Sequence, residues 1–218
     1  MVNLTQQQLA EIIDDERRES NAAFAGPARI LRYMNRAVRE IIKKPGVRTV
    51  KDTTTINFTG AGEYTLPADC ISVISLYSGT PGSGNEVEFT YVPHDEMNLA
   101  MTGYGYTFKS PGKIYIFAAS AQNLPSSSIV LDYWSSNIVL DVDGVTKKYA
   151  FVNTGDKSRL RAMHDDLFID YTVSKILQRE GKDEWKDRYA MFTSGLDSLT
   201  ADGNQPNPPR TRRTWGRN

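Results

Sequence analysis

The hydrophobic period changes twice along this chain, and that alternation limits the folds open to it. Near the start, Thr5 with Gln8 three residues later reads as a capping box. Leu9, Ile12 and Ile13 then form one apolar stripe, which predicts a helix over about 6–18. After the small-residue stretch SNAAFAG, Pro27 fits the first turn of a second helix. Its apolar positions are Ile30, Leu31, Met34, Val38, Ile41 and Ile42, and Pro45-Gly46 stops it.

From Thr53 the pattern becomes that of short strands. Runs at 53–58, 64–66, 71–77, 86–91, 104–108, 113–117, 129–134 and 138–142 are punctuated by Gly and Pro, with one helical turn or two expected over 93–100. No strand alternates with a long helix, so a parallel sheet is not expected. After Thr154 the helical period returns. Leu160, Met163, Leu167, Ile169, Val173, Ile176 and Leu177 lead to a break at Gly181, and Trp185, Tyr189, Phe192, Leu196 and Leu199 mark a last helix. The fold class is therefore α+β. A helical bundle is expected from residues 1–51 and 147–200, with an inserted antiparallel β lobe over 52–146, either a sandwich or a small barrel. Residues 201–218 carry no apolar periodicity and read as an extended C-terminal arm.

That arm is chemically distinctive. Pro206, Pro208 and Pro209 bias it toward an extended, stiff backbone. Arg210, Arg212, Arg213 and Arg217 follow, with Trp215 among them. A basic segment with one large aromatic anchor suits docking into a groove on another molecule.

The formal net charge is zero, but the charges are segregated. Residues 1–20 carry five acids and two bases. Residues 27–51 carry eight bases against Glu40 alone, and 52–146 carry ten acids against Lys109 and Lys113. The basic block includes Arg29, Arg32, Arg36, Arg39, Lys43 and Lys44. Such a helix binds either nucleic-acid phosphates or an acidic protein surface. The acidic blocks of this same chain supply the second kind of partner, and pairing between copies is the favoured reading.

Candidate chemistry is sparse. His164-Asp165 is the sharpest catalytic pair, since adjacent His and Asp ligate metal in phosphohydrolases, but the only other histidine is His94. Two histidines fall short of that ligand set, and acids in a first helical turn fit the dipole. GYGYTF at 103–108 lacks the glycine spacing of a phosphate loop and opens no helix. No serine has nucleophile-elbow context. Tyr104, Tyr106 and Trp134 offer a sugar-stacking platform, or one packed sheet face. Cys70 is the only cysteine and lies in the apolar run CISVISLY, so a buried, inert thiol is expected, with neither disulfide nor cysteine-metal site. No apolar run reaches bilayer-spanning length, and MVNLTQQQLAEIIDDE has no signal-peptide pattern. No enzyme activity, cofactor, metal site or membrane partner is expected.

Several stretches carry a family resemblance. ARILRYMNRAVREI, GEYTLPADCISVISLY, GKIYIFAA, IVLDYW, and MHDDLFIDYTVSKIL followed by EWKDRYAMFTSGLDSL resemble bacteriophage head-to-tail adaptor proteins, also called connectors or tail accessory factors. The layout rests on Tyr64, Leu66, Pro67 and Asp69 and then on a helix with His164 and Tyr171, and covers most of 27–200. The resemblance implies a structural virion protein made in the bacterial host cytoplasm. Subunits, typically twelve, form a ring beneath the portal protein, extend the channel for packaged DNA and seat tail or nozzle proteins. C-terminal segments in that family often grip the portal, which implies anchoring by Pro208, Pro209, Arg210, Arg212, Arg213, Trp215 and Arg217. Some short-tailed relatives have a proposed peptidoglycan-degrading activity, but no catalytic carboxylate pair supports it here. Two other classes are carried as alternatives: a carbohydrate-binding tail module, and a His/Asp metal phosphohydrolase.

Overall fold

The computed structural model describes residues 3–20, 22, 25–47, 49–79, 86–96, 103–118 and 128–203. Two compact units emerge. The first comprises the described residues of Met1–Arg48, Val139–Thr146 and Ala150–Asn218, and the second those of Thr49–Ile138 and Lys147–Tyr149.

The first unit holds four helices: α1 (Gln6–Glu19), α2 (Pro27–Lys43), α3 (Asp166–Arg179) and α4 (Trp185–Gly203). The capping box forms as the sequence predicts. The Gln8 amide donates to Thr5 Oγ1 at 3.2 Å, and the Thr5 amide donates to Gln8 Oε1 at 2.9 Å. The next orphan donors of α1 are met from outside the helix. The amides of Gln6 and Gln7 donate to the carbonyls of Asp156 (2.7 Å) and Thr154 (3.0 Å). Pro27 opens α2, as expected. Gly181, at φ +70°, follows α3 with its amide on the Gln178 carbonyl, the left-handed stop that glycine adopts without strain.

α3 packs against α1, α2 and α4. From Leu167 to Leu177 only Asp170 and Lys175 escape full burial. Phe168 meets Phe151 edge-on at 5.3 Å, and Tyr171 meets Phe192 of α4 at 5.0 Å. Asn35 of α2 fixes Phe151 reciprocally. Its Nδ2 donates to the Phe151 carbonyl (2.9 Å), and the Phe151 amide donates to Asn35 Oδ1 (2.8 Å).

The second unit is built from β1 (Val50–Asn57), β2 (Gly62–Thr65), β3 (Cys70–Ser78), β4 (Val87–Glu88), β5 (Thr90–Tyr91), β6 (Tyr104–Ser110), β7 (Lys113–Ala118) and β8 (Ser128–Ser135). One sheet runs β1-β8-β3-β4 and the other β2-β7-β6-β5. β1 and β8 pair without a break from Val50↔Ser135 to Asn57↔Ser128. Phe58, Leu66, Leu76, Phe89, Tyr106, Ile114, Ile116, Ile129, Leu131 and Tyr133 form one apolar cluster drawn from both sheets. Neither sheet closes on itself, so the small-barrel alternative does not hold.

Three local expectations need correction. The run 86–91 is not one strand. It breaks at Phe89, whose ring is buried between the sheets while its amide donates to Leu76, so that β4 joins one sheet and β5 the other. β5 and β6 are parallel, with Thr90↔Gly105 and Tyr91↔Tyr106 in register. The intervening stretch, including a 3-10 turn at His94–Glu96, is long enough to bring the chain back to the same edge in the same direction. The run 138–142 is a strand only at β9 (Val139–Leu140), which pairs in the first unit with β11 (Lys157–Ser158); β10 is the dipeptide Lys147–Lys148. β9 ends because Asp141–Gly144 turns, with Gly144 at φ +70° and its amide on the Asp141 carbonyl.

Two substitutions test this packing. The buried Thr172 Oγ1 has no hydrogen-bond partner among the described residues. Thr172→Val is therefore expected to stabilise by about 1 kcal/mol, raising the calorimetric melting temperature by roughly 2–4 °C. A β-carbon on Gly105 would collide with the Phe117 ring and approach the Thr90 carbonyl oxygen to 2.8 Å. Gly105→Ala is expected to cost about 1–3 kcal/mol in chemical denaturation.

Candidate functional site

His164 and Asp165 lie at the 3-10 turn that leads into α3, and both are buried. Asp165 accepts the Leu4 amide on Oδ2 at 2.9 Å. Beside it, Asn3 Nδ2 donates to the carbonyls of Ser158 and Leu160. This pair therefore fastens the start of the chain to the 158–165 segment. Burial pushes the Asp165 carboxyl up to about 6, against the lowering effect of the Leu4 and Ser158 hydrogen bonds. His94 lies in a different unit, and among the described residues no three His, Cys, Asp or Glu side chains are grouped to hold a metal.

The tyrosine platform does not assemble as a surface. Tyr106 is buried in the apolar cluster, Tyr104 packs against its edge, and Trp134 is half-buried on β8. Alternation on β6 points Tyr104, Tyr106 and Phe108 to one face, and that face is covered at Tyr106 but open at Phe108. Phe108 and Tyr91 are exposed and pack on each other at 5.7 Å. Sequence reading missed this pair because alternation identifies a face but not where its cover ends. Cys70 is half-buried rather than buried as expected, and burial pushes its thiol up to about 11.

Among the layout residues of the resemblance, Tyr64, Leu66 and Asp69 help to hold the second unit together. Tyr64 Oη donates to the Gly60 carbonyl (2.6 Å) and accepts the Thr59 amide (3.1 Å), which closes the β1–β2 turn. Leu66 is in the core. Asp69 accepts from Ser135 Oγ at 2.6 Å and from Asn137 Nδ2 at 3.2 Å, tying the loop after Pro67 to the end of β8.

The basic block is organised differently. Arg29, Arg32, Arg36, Arg39 and Lys43 recur at spacings of three and four, so they occupy one arc of roughly 80° along about 21 Å of helix. The arc lies opposite the packed face of Ile30, Tyr33, Met34, Ala37, Val38 and Ile41. All five side chains are exposed, and none makes an ion pair among the described residues. Arg36 lies over the Tyr33 ring at 5.6 Å. Lys44 leaves the group by pairing with Asp197 of α4 at 3.0 Å. The arm residues Pro208, Pro209, Arg210, Arg212, Arg213, Trp215 and Arg217 lie outside the described residues.

Exposed valines add a second kind of contact surface. Val142, Val145 and Val152 are 62%, 76% and 65% exposed. The turn carrying Val142 and Val145 is held by Asp143, which accepts the amides of Val145 and Thr146, both at 2.8 Å, while the Val152 amide donates to Asp156 Oδ2 at 2.7 Å. The family model for SU10 adaptor protein matches residues 6–214. The chain belongs to this family of phage head-to-tail adaptors, components of the virion that act with other head and tail proteins. No curated protein matches the chain. No described helix is long and apolar enough to cross a membrane.

Asp165 generates a pH prediction. Its folded-state value, about 6, lies above the ordinary 3.8, so the folded protein holds this proton more tightly than the unfolded chain. The stabilising contribution is complete below pH 4 and lost as pH rises through 6. Asp165→Asn keeps an acceptor for the Leu4 amide and removes the charge. It should melt higher than the parent at pH 7.5, by at most about 3 kcal/mol of stability, and match it more closely at pH 4. Equal gains at both pH values would contradict this reading.

Proposed function

We propose that this adaptor closes into a ring beneath the phage portal, extends the channel through which packaged DNA passes, and provides the platform on which tail or nozzle proteins are seated. The match to the adaptor family over residues 6–214 carries this reading. The ring contains about a dozen copies, as the family resemblance implies, and forms after synthesis in the bacterial host cytoplasm. Its chemistry is structural: contacts, charge and order of assembly.

The C-terminal arm expected over 201–218 begins three residues later, because α4 runs on to Gly203, and the segment after it acts as the portal anchor. Its sequence combines prolines, four arginines and Trp215, a composition suited to docking in a groove on a partner. Trp and Arg are the side chains that most often dominate interface energies. Arg29, Arg32, Arg36, Arg39, Lys43 and Lys44 act in subunit contacts or against channel DNA.

The test mixes purified protein with portal rings from the same phage and images the products by electron microscopy, using the full chain and a version ending at Gly203. The full chain is expected to form a second ring on the portal, and the shortened chain to bind at least tenfold more weakly, a loss of about 1.4 kcal/mol or more. Binding by both would remove the arm from portal docking and leave the adaptor function standing. Binding by neither would overturn the ring reading.

A further inference from the structure

The exposed base stripe of α2 has a match on α1 of the same fold. Glu11, Asp15 and Glu19 recur every four residues and occupy the outward face of α1, opposite Leu9, Ile13 and Arg17. They extend along about 12 Å of helix. Arg32, Arg36 and Arg39 extend along about 10 Å. Asp14 is already committed to Arg17 at 2.6 Å and Arg18 at 2.7 Å, and Glu16 to Arg188 of α4. Asp15 has only a long contact to Arg18 at 3.9 Å, and Glu11 accepts from Gln7. The three outward acids thus keep most of their charge for another partner. Alongside them runs a groove of about 570 Å³, with Ala10, Ala25, Pro27 and Ile30 among the residues lining it and Glu11, Asp14 and Asp15 contributing acids.

We infer that the α2 stripe of one copy docks along the α1 acid stripe and groove of the next copy, so that Arg32, Arg36 and Arg39 pair with Glu11, Asp15 and Glu19 across a head-to-tail interface. This inference rests on the ring reading and specifies its subunit contact. Charge complementarity identifies the occupant. The acid stripe repels a DNA backbone, whereas a basic helix of matching length satisfies it. Each copy carries one stripe of each sign on different helices, so every contact leaves a fresh donor and acceptor at the two ends. That is the requirement for a heterologous interface that propagates until it closes. The apolar lining of the groove supplies area beneath the charged rim, the usual division of labour in a specific contact.

The experiment is a charge swap, read by sedimentation velocity on free protein and by imaging on portal rings, at low and high salt. The variants are R32E/R36E/R39E, E11K/D15K/E19K and the six-site combination. All six side chains are exposed, and circular dichroism melts verify that each variant folds. Wild-type self-association is expected to weaken as salt rises. Each three-site variant should self-associate at least tenfold more weakly than wild type, and the equimolar mixture of the two should recover, as should the six-site chain. Undiminished assembly by either three-site variant would overturn the interface while leaving the ring standing. So would failure of both the mixture and the six-site chain to recover. If R32E/R36E/R39E loses duplex DNA binding and assembles normally, the stripe belongs to DNA and the inference is wrong. If wild type does not self-associate in solution or on the portal, the interface and the ring reading fall together.

Discussion

Burial of α3 on nearly every side is the constraint that the four-helix unit depends on. Between Leu167 and Leu177 the helix has no solvent face, so three other helices must cover it. Apart from Thr172, the polar groups on it that bear on the packing find partners. Asp170 is raised by burial even though the Arg188 guanidinium sits 3.2 Å away. Arg188 also reaches Glu16, so one side chain on α4 ties α1 and α3 together. Removing one partner from such a partly buried network leaves a charge without compensation, which costs more than the pair contributes. Ser174 satisfies its hydroxyl on the Tyr171 carbonyl. The covering helices consequently have their inner faces dictated by α3, while their outer faces remain open to selection for other purposes.

The same division explains why block charge is a poor guide in the β unit. Four of its acids are consumed by fastenings. Burial would raise the Asp132 carboxyl, but Lys51 at 2.7 Å, Thr53 Oγ1 at 2.7 Å and Ser75 Oγ at 3.3 Å together hold it below the ordinary value. Asp52 pairs with Lys147 at 2.6 Å, Asp69 staples the end of β8, and Glu63 pairs with Lys109. These four acids are therefore committed within the unit, whereas Glu88, Asp95 and Glu96 stay exposed. On α1 and α2 the outward charges have no such internal use.

How much of this was legible in the sequence depended on whether the signal was local. The capping box at Thr5 and Gln8, Pro27 at a helix start and Gly181 at a helix stop are short-range devices, and each formed where it was read. The base stripe was legible too, because spacing on a helix fixes the face. Phe89 was not legible as a switch between sheets, since nothing in FTY says which sheet each flanking dipeptide will join. Tyr106 and Phe108 share a face on β6, yet one is buried and the other exposed, because cover comes from residues distant in sequence. His164-Asp165 reads as chemistry in the sequence, but Asp165 is a buried fastening for the Leu4 amide, a role that requires knowing that residues 4 and 165 meet.

Helix dipoles sharpen the meaning of the outward charges. Arg29 sits in the first turn of α2 and Glu19 in the last turn of α1, each opposed to its own macrodipole. Such placements cost about 0.3–1 kcal/mol apiece at low ionic strength. α2 also lacks an acid in its first turn and a side-chain N-cap, so nothing local offsets Arg29. Helix stability alone would favour the reverse arrangement. Under the inferred pairing of stripes between copies, the self-repulsion along each stripe is relieved when the opposite stripe arrives, and association weakens as salt rises.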